Sequence, residues 1–199
     1  MIEKMINIVT QMINDRNDTI EQPIPTDINL NIPNIFYAKQ NCIIIALTSA
    51  SKKAVIEQLK VTKKNKEEEE DIFKEFVTNH NKYLNYIFVF EEITPSDNKL
   101  LTVFDKTLNK IDGLLSVFLY SELHFNPTRH DLVDKHTKLT KEEVKELMAH
   151  YNIKSKTSLP IMLKTDPISK WLGIKTGDVV KIDRYNPNSG LTYYYRACV

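Results

Sequence analysis

Two uninterrupted apolar runs, Cys42–Leu47 and Tyr86–Phe90, constrain this chain more than any other feature of it. A strand with one wet face alternates apolar and polar residues, so a run that is apolar throughout belongs to a strand covered on both faces. Ile43, Ile44 and Ile45 add strong β preference at the centre of the first run. The residues around these runs are helical in pattern. Ile2, Met5, Ile6, Val9, Met12 and Ile13 recur at spacings of three and four, which predicts an amphipathic helix ending near Asn14–Asp18. Pro23, Pro25 and Pro33 deny helix to the segment that follows. Between the runs, Ser51 is expected to cap a short helix over Ala54, Val55 and Leu59. A second helix is expected after the charge run Glu67–Asp71, through Ile72, Phe73, Phe76 and Val77, with the acids at its dipole-favoured start. After the second run, Thr94, Pro95, Ser96 and Asp97 form a helix start: cap, proline at the first position, acid at the third. Strands alternating with helices predict an α/β domain, a short sheet flanked by helices.

The charge balance changes near residue 125. Residues 1–125 carry 14 basic and 18 acidic side chains, and residues 126–199 carry 13 and 8, so a half of net −4 precedes a half of net +5. Two domains are expected, 1–125 and 126–199. In the second, Thr140 and Glu143 form a capping box for a helix Lys141–His150 whose Val144, Leu147 and Met148 share a face with Tyr151. Asp166 and Pro167 start a short helix through Trp171, and Gly173 is its left-handed stop. Val179–Ile182 and Thr192–Arg196 read as strands joined by Asn186, Pro187, Asn188, Ser189 and Gly190, all turn formers, so they pair as a hairpin. This domain is expected to be small and α+β.

Catalytic chemistry finds few residues to rest on. Only four glycines exist and no G-x-S-x-G occurs, so neither a phosphate-cradling loop nor a nucleophile elbow is expected. His124, His130 and His136 recur at spacings of six, yet no cysteine or helix-spaced acid joins them as zinc ligands. Glu91, Glu92 and Asp97 follow a strand, where a solvated strand end explains them better than acid/base work. A magnesium nuclease needs two acids and a lysine in fixed order. Asp27 with Lys39 comes nearest, but Tyr37 stands where the second acid belongs. No catalytic residue, metal or cofactor is therefore expected. Cys42 and Cys198 lie far apart and form no disulfide framework, and no stretch approaches a membrane span, so a soluble, intracellular protein is expected. Lysine outnumbers arginine 23 to 4, beside 22 isoleucines and 17 asparagines, which reflects AT-rich codons rather than chemistry.

The residues that carry identity lie in the second domain, in the order His130, Leu132, His136, the helix from Thr140, Leu159, Pro160, Asp166, Pro167, Gly173, Gly177, Val179–Ile182, Arg184, Gly190, Tyr195 and Arg196. Over roughly the last 75 residues, this ordered set closely resembles the C-terminal assembly domain of subunit 5 of the eukaryotic nuclear RNA polymerases. The archaeal form of that family consists of this domain alone. Thr94, Pro95, Ser96, Glu122 and Leu123 resemble the family's first domain, which favours the two-domain eukaryotic form. Two departures stand out: Asp134 replaces a proline between the histidines, and Tyr185–Ser189 replaces the family's usual loop.

The resemblance implies a noncatalytic subunit of a multisubunit DNA-directed RNA polymerase, one copy per complex. Its C-terminal domain would dock on the largest subunit among the other subunits. Its N-terminal domain would form part of the lower jaw beside downstream duplex DNA during transcription. The location implied is the nucleus for a cellular protein, or virion and host cytoplasm for a large DNA virus. The hairpin offers an exposed edge to a partner's sheet, and Arg184 and Arg196 lie where bidentate salt bridges can fix an interface. The DNA-side half is the acidic one, so DNA contacts are expected to be few. They are expected at Thr94, Pro95 and Ser96, where free helix-start amides can meet a phosphate. Two other readings remain: an α/β nuclease-related DNA-binding protein, and a free-standing protein-interaction module.

Overall fold

The computed structural model describes residues 2–25, 28–59 and 83–199. The chain divides into two compact units, Met1–Phe125 and Asn126–Val199.

The first unit is the expected α/β layer. Its sheet runs in the order β1 (Asn34–Tyr37), β2 (Asn41–Ala46), β3 (Asn85–Phe90), β4 (Leu114–Leu119). β1 is antiparallel to β2, and β2, β3 and β4 are mutually parallel, with Ile43 opposite Ile87 and Ile87 opposite Ser116. All six residues of β2 are buried, as the double-faced run demands. On one face, Cys42, Ile44, Tyr86, Phe88 and Phe90 pack against Val55 and Leu59 of α2 (Ser49–Leu59) and Leu101, Phe104 and Leu108 of α3 (Pro95–Lys110). Phe104 stacks on Phe88 at 6.1 Å and meets Tyr86 edge-on at 5.6 Å. On the other face, α1 (Ile2–Asp15) buries Met5, Ile6, Val9, Met12 and Ile13, as its spacing predicts.

The start of α2 corrects one expectation. Ser51 is not the cap but the third helical residue. Thr48 Oγ1 accepts the Ser51 N–H at 3.2 Å, and Ser51 Oγ accepts the Thr48 N–H at 3.1 Å, a reciprocal box built on two hydroxyls. Strands β1 and β4 were not among those the pattern announced. β1 is short and mostly half-exposed, and Ser116 interrupts the apolar run of β4. At the approach to β4 the chain passes so close to Leu84 that a methyl group on Gly113 would lie 2.7 Å from the Leu84 carbonyl oxygen. The helix expected over Ile72–Val77 lies outside the described residues.

The second unit is the expected α+β arrangement, a sheet in the order β5 (Lys135–Lys138), β7 (Val179–Asn186), β8 (Gly190–Cys198), β6 (Ile161–Met162). The hairpin β7–β8 forms as its turn residues predict and extends further than expected, from Val179 opposite Ala197 to Asn186 opposite Gly190. Side-chain alternation divides its core between two helices. Val180, Ile182, Met162 and Cys198 pack with Ile168 of α5 (Pro167–Leu172) and with Ile174. Val179 and Ala197 pack instead with Val144 and Leu147 of α4 (Lys141–His150) and with Leu159. Both helix starts are capped as predicted: Thr140 with Glu143, and Asp166 Oδ1 accepting the Ile168 N–H at 2.8 Å. Gly173 takes φ 65°, and the Ile174 N–H reaches the Ser169 carbonyl at 3.0 Å, the double-bonded helix stop that glycine permits. The two short strands β5 and β6 have no sequence signal; neighbouring strands impose them.

Candidate assembly interface

The motif residues of the second unit converge on the last strand. Pro160 accepts the Ala197 N–H at 2.9 Å, and the Gly177 N–H donates to the Cys198 carbonyl at 2.9 Å. The Gly177 carbonyl in turn accepts from Lys156 Nζ at 2.7 Å, and its φ of 90° is one that L side chains avoid. Leu159 is buried beside Ala197, and Gly190 turns the hairpin at φ 72°. Leu159, Pro160, Asp166, Pro167, Gly173, Gly177 and Gly190 therefore shape backbone and core. Tyr195, Arg184 and Arg196 present chemistry on the sheet. His130 stands apart from them, exposed after a single 3-10 turn, its Nδ1 accepting the Leu132 N–H at 3.2 Å.

The two arginines lie on one face of the hairpin with Tyr194 between them. Arg184 Nε is 3.7 Å from Asp134 Oδ2, and its guanidinium lies 5.6 Å from the Tyr194 ring centroid. The departure at Asp134 thus supplies a partner for Arg184. Arg196 Nη1 approaches the Ile161 carbonyl at 3.4 Å and meets no carboxylate among the described residues. The expected bidentate salt bridges do not form within the described residues; single, partly exposed contacts take their place. A hollow of about 480 Å³ opens here, lined among others by Leu132, Val133, Asp134, His136, Asp166 and both arginines. Large apolar groups surround it. Leu132 is 88% exposed, and Ile161 and Leu163 lie open nearby in sequence to Pro160. Tyr185, Leu191, Tyr193 and Tyr194 are exposed along the hairpin. Sequence reasoning missed these tyrosines as surface groups, because alternation alone does not tell a covered strand face from an open one.

On the opposite sheet face, Lys181 Nζ lies 3.3 Å from Asp183 Oδ1 and 3.9 Å over the Tyr193 ring. Burial lowers the Lys181 pKa, but Asp183 outweighs it and the net direction is upward, so the charge is kept. Tyr195 stands 6.1 Å from Tyr151, and burial raises its pKa.

In the first unit, Thr94, Pro95 and Ser96 occupy the cap and first two positions of α3 as expected, but the free amides there are fewer than the sequence implies. Thr94 Oγ1 accepts the Asp97 N–H at 3.3 Å, Pro95 has no N–H, and the Asn98 N–H donates to the Thr94 carbonyl. Ser96 is left as the one first-turn amide without an acceptor among the described residues. Asp97 also accepts the Thr94 N–H at 3.1 Å and pairs with Lys52 Nζ at 3.4 Å. Burial opposes its ionisation, and the Thr94 and Lys52 contacts outweigh burial, holding its carboxyl below the usual range. Lys52 also donates to the Glu92 carbonyl at 3.3 Å, so Asp97 and Glu92 form a structural cap around a lysine rather than an acid/base pair. Glu122 closes another turn, accepting the Leu119 N–H at 2.8 Å.

The remaining candidates disperse. His124 Nδ1 meets the Ser121 carbonyl at 2.8 Å and His136 Nδ1 the Asp134 carbonyl at 2.6 Å, on separate elements. No group of three potential metal ligands occurs among the described residues. Tyr37 stacks on Tyr83 at 5.3 Å, and Asp27 lies outside the described residues. Cys42 and Cys198 are free and buried, and burial raises the Cys42 thiol to about 12. No helix of the described residues is long and apolar enough to cross a membrane.

Residues 125–198 match the family model described as RNA polymerase Rpb5, C-terminal domain. The chain is 40% identical over 113 residues to "DNA-directed RNA polymerases I, II, and III subunit rpabc1" of Dictyostelium discoideum, covering 57% of this chain and 55% of that protein. It is 40% identical over 86 residues to the subunit RPABC1 of Caenorhabditis briggsae, covering 43% and 40%. The chain spans about half the length of the curated relatives it matches. Since 113 residues exceed the second unit, the first likeness reaches into the first unit as well. The second unit, with its ordered motif from His130 to Arg196, is thus similar to the RNA polymerase Rpb5 C-terminal domain over residues 125–198.

Proposed function

We propose that this protein is a noncatalytic subunit of a multisubunit DNA-directed RNA polymerase. Its C-terminal unit docks on the largest subunit, and its N-terminal unit lies near downstream DNA in the assembled enzyme. The observation that carries the reading is the match of residues 125–198 to the Rpb5 C-terminal domain, supported by relatives named as subunits shared by polymerases I, II and III. The surface agrees with an assembly role. Tyrosine and arginine dominate the open face of the hairpin, and these residue types anchor protein interfaces more often than others. In a cellular source the complex is nuclear; a large DNA virus would place it in virion and host cytoplasm.

A pull-down of the tagged full chain from its native source, in moderate salt, tests this. The two largest polymerase subunits are expected in near-equal amounts with it. Recovery of the chain alone overturns the assembly role and leaves a fold without that function.

The DNA side of the reading is local. The first unit is net negative, and its one candidate phosphate contact has contracted from a fan of amides to Ser96 and its neighbours beside Asp97. The isolated chain is therefore expected to show no tight binding to duplex DNA. A gel shift with salt-sensitive, submicromolar affinity would contradict this.

A further inference from the structure

Strand β8 is paired with β7 from Gly190 to Ala197, but on its other side β6 covers only Ala197 and Cys198. The Ala197 and Val199 N–H groups point to that side, donating to the Pro160 and Met162 carbonyls at 2.9 Å each. Backbone alternation then directs the N–H and C=O groups of Leu191, Tyr193 and Tyr195 the same way. None of these three amides meets an acceptor among the described residues. Native proteins blunt such an edge with proline, a bulge or inward-pointing lysines. Gly190–Arg196 has none of these devices. Its sequence, Leu-Thr-Tyr-Tyr-Tyr-Arg after the glycine, favours extended backbone. Leu191, Tyr193 and Tyr194 are each about half exposed, at 54%, 49% and 49%.

The charges beside this edge select an occupant. Thr192, Tyr194 and Arg196 share the face that Arg184 joins through its pairing with Thr192. On that face Asp134 is engaged by Arg184, and Asp166 caps α5 through Ile168. His136 Nδ1 is engaged at the Asp134 carbonyl. Arg196 keeps its charge without a carboxylate among the described residues, next to the open backbone.

We propose that the outer edge of β8, from Leu191 to Arg196, receives one extended strand from another polymerase subunit, with a carboxylate of that strand paired to Arg196. This rests on the assembly role above and names its docking mode. Main-chain hydrogen bonds at Leu191, Tyr193 and Tyr195 supply affinity, and the alternate side chains of the added strand supply specificity. On one sheet face the added strand meets Tyr194 and Arg196, and on the other Tyr193 and Tyr195.

Amide hydrogen exchange resolved residue by residue tests the assignment, on the full chain alone and on the polymerase complex purified from the native source. The Thr192, Tyr194 and Arg196 amides, which face β7, are expected to exchange slowly in both. The Leu191, Tyr193 and Tyr195 amides are expected to exchange freely in the chain alone and at least about tenfold more slowly in the complex. The substitution Arg196→Glu is expected to weaken retention in the complex by roughly tenfold or more through like-charge repulsion. Outer amides that stay fast in a complex containing the chain overturn the strand addition and leave the assembly role intact. Failure of the chain to enter any polymerase complex overturns both. Protection of the outer amides in the chain alone that grows with concentration assigns the edge to a second copy, against the proposal.

Discussion

Replacing Asp18 with alanine is expected to destabilise the first unit by about 3–5 kcal/mol, the range for removing one charge from a buried, hydrogen-bonded charge network. Asp18 is 5% exposed and holds a network at the C-terminal end of α1. Its Oδ2 accepts from Asn41 Nδ2 at 2.7 Å and from the Gln40 N–H at 3.1 Å, and its Oδ1 accepts from the Thr19 N–H at 2.8 Å. Asn41 relays the charge, its Oδ1 accepting from Arg16 Nη1 at 3.2 Å, while Arg16 Nη2 donates to Ser116 Oγ at 3.0 Å on β4. Burial pulls the Arg16 pKa down to about 10, with Asp18 pulling it back up. A pKa near 10 still leaves Arg16 charged at neutral pH, so loss of Asp18 removes a favourable negative charge from beside a buried cation. Denaturant unfolding followed by circular dichroism measures the loss. Asp18→Asn keeps an acceptor and removes only the charge, and it is expected to cost less, roughly 1–3 kcal/mol. Equal losses in the two variants would show that charge rather than hydrogen bonding holds the network.

In the second unit, Ile174→Ala is expected to cost about 2–5 kcal/mol, the range for emptying a fully buried branched side chain. Ile174 is 1% exposed and packs with Ile168, Val180, Ile182 and Met162. It is also the residue just past the left-handed Gly173, and its N–H closes the end of α5 on Ser169. Core packing by its side chain and helix termination by its backbone N–H thus meet in one residue. Trp171, the only tryptophan of the chain, lies in α5, so denaturant unfolding followed by its fluorescence reads this unit. A midpoint within experimental error of the parent would show that the core closes around the lost methyls. Gly173→Ala, which forces an alanine into the left-handed region, is expected to cost a smaller amount, about 1–2 kcal/mol.

Both positions lie where the chain's own pattern was informative and then stopped being so. The helix α1 was legible from its three- and four-residue spacing because burying one helical face requires that period. What Arg16 does just beyond its end was not, since its partners Asn41 and Ser116 are 25 and 100 residues away. Ser116 reads in sequence as a break in an apolar run. In the fold it is the acceptor that lets a guanidinium approach the sheet. Likewise the cap at Thr94 was legible, because its partners are its own neighbours in sequence. The loss of free amides there follows from that same box together with proline.

Local and periodic features could be read from the residues alone: the doubly buried β2 and β3, the capped starts of α3, α4 and α5, the left-handed stop at Gly173 and the β7–β8 hairpin. Each depends on contacts within a few residues or on a repeat of 2 or 3.6, which a linear string displays directly. Other outcomes exist only in the packed chain. Leu114–Leu119 closes the first sheet, and two-residue β6 is a strand at all, because of what lies beside them. The same holds for the edge that β8 keeps open next to Arg196, which meets no carboxylate among the described residues. Those outcomes depend on which distant segments lie side by side, and on where a neighbouring strand ends. Strand pairing is set by long-range packing, so no local pattern encodes it.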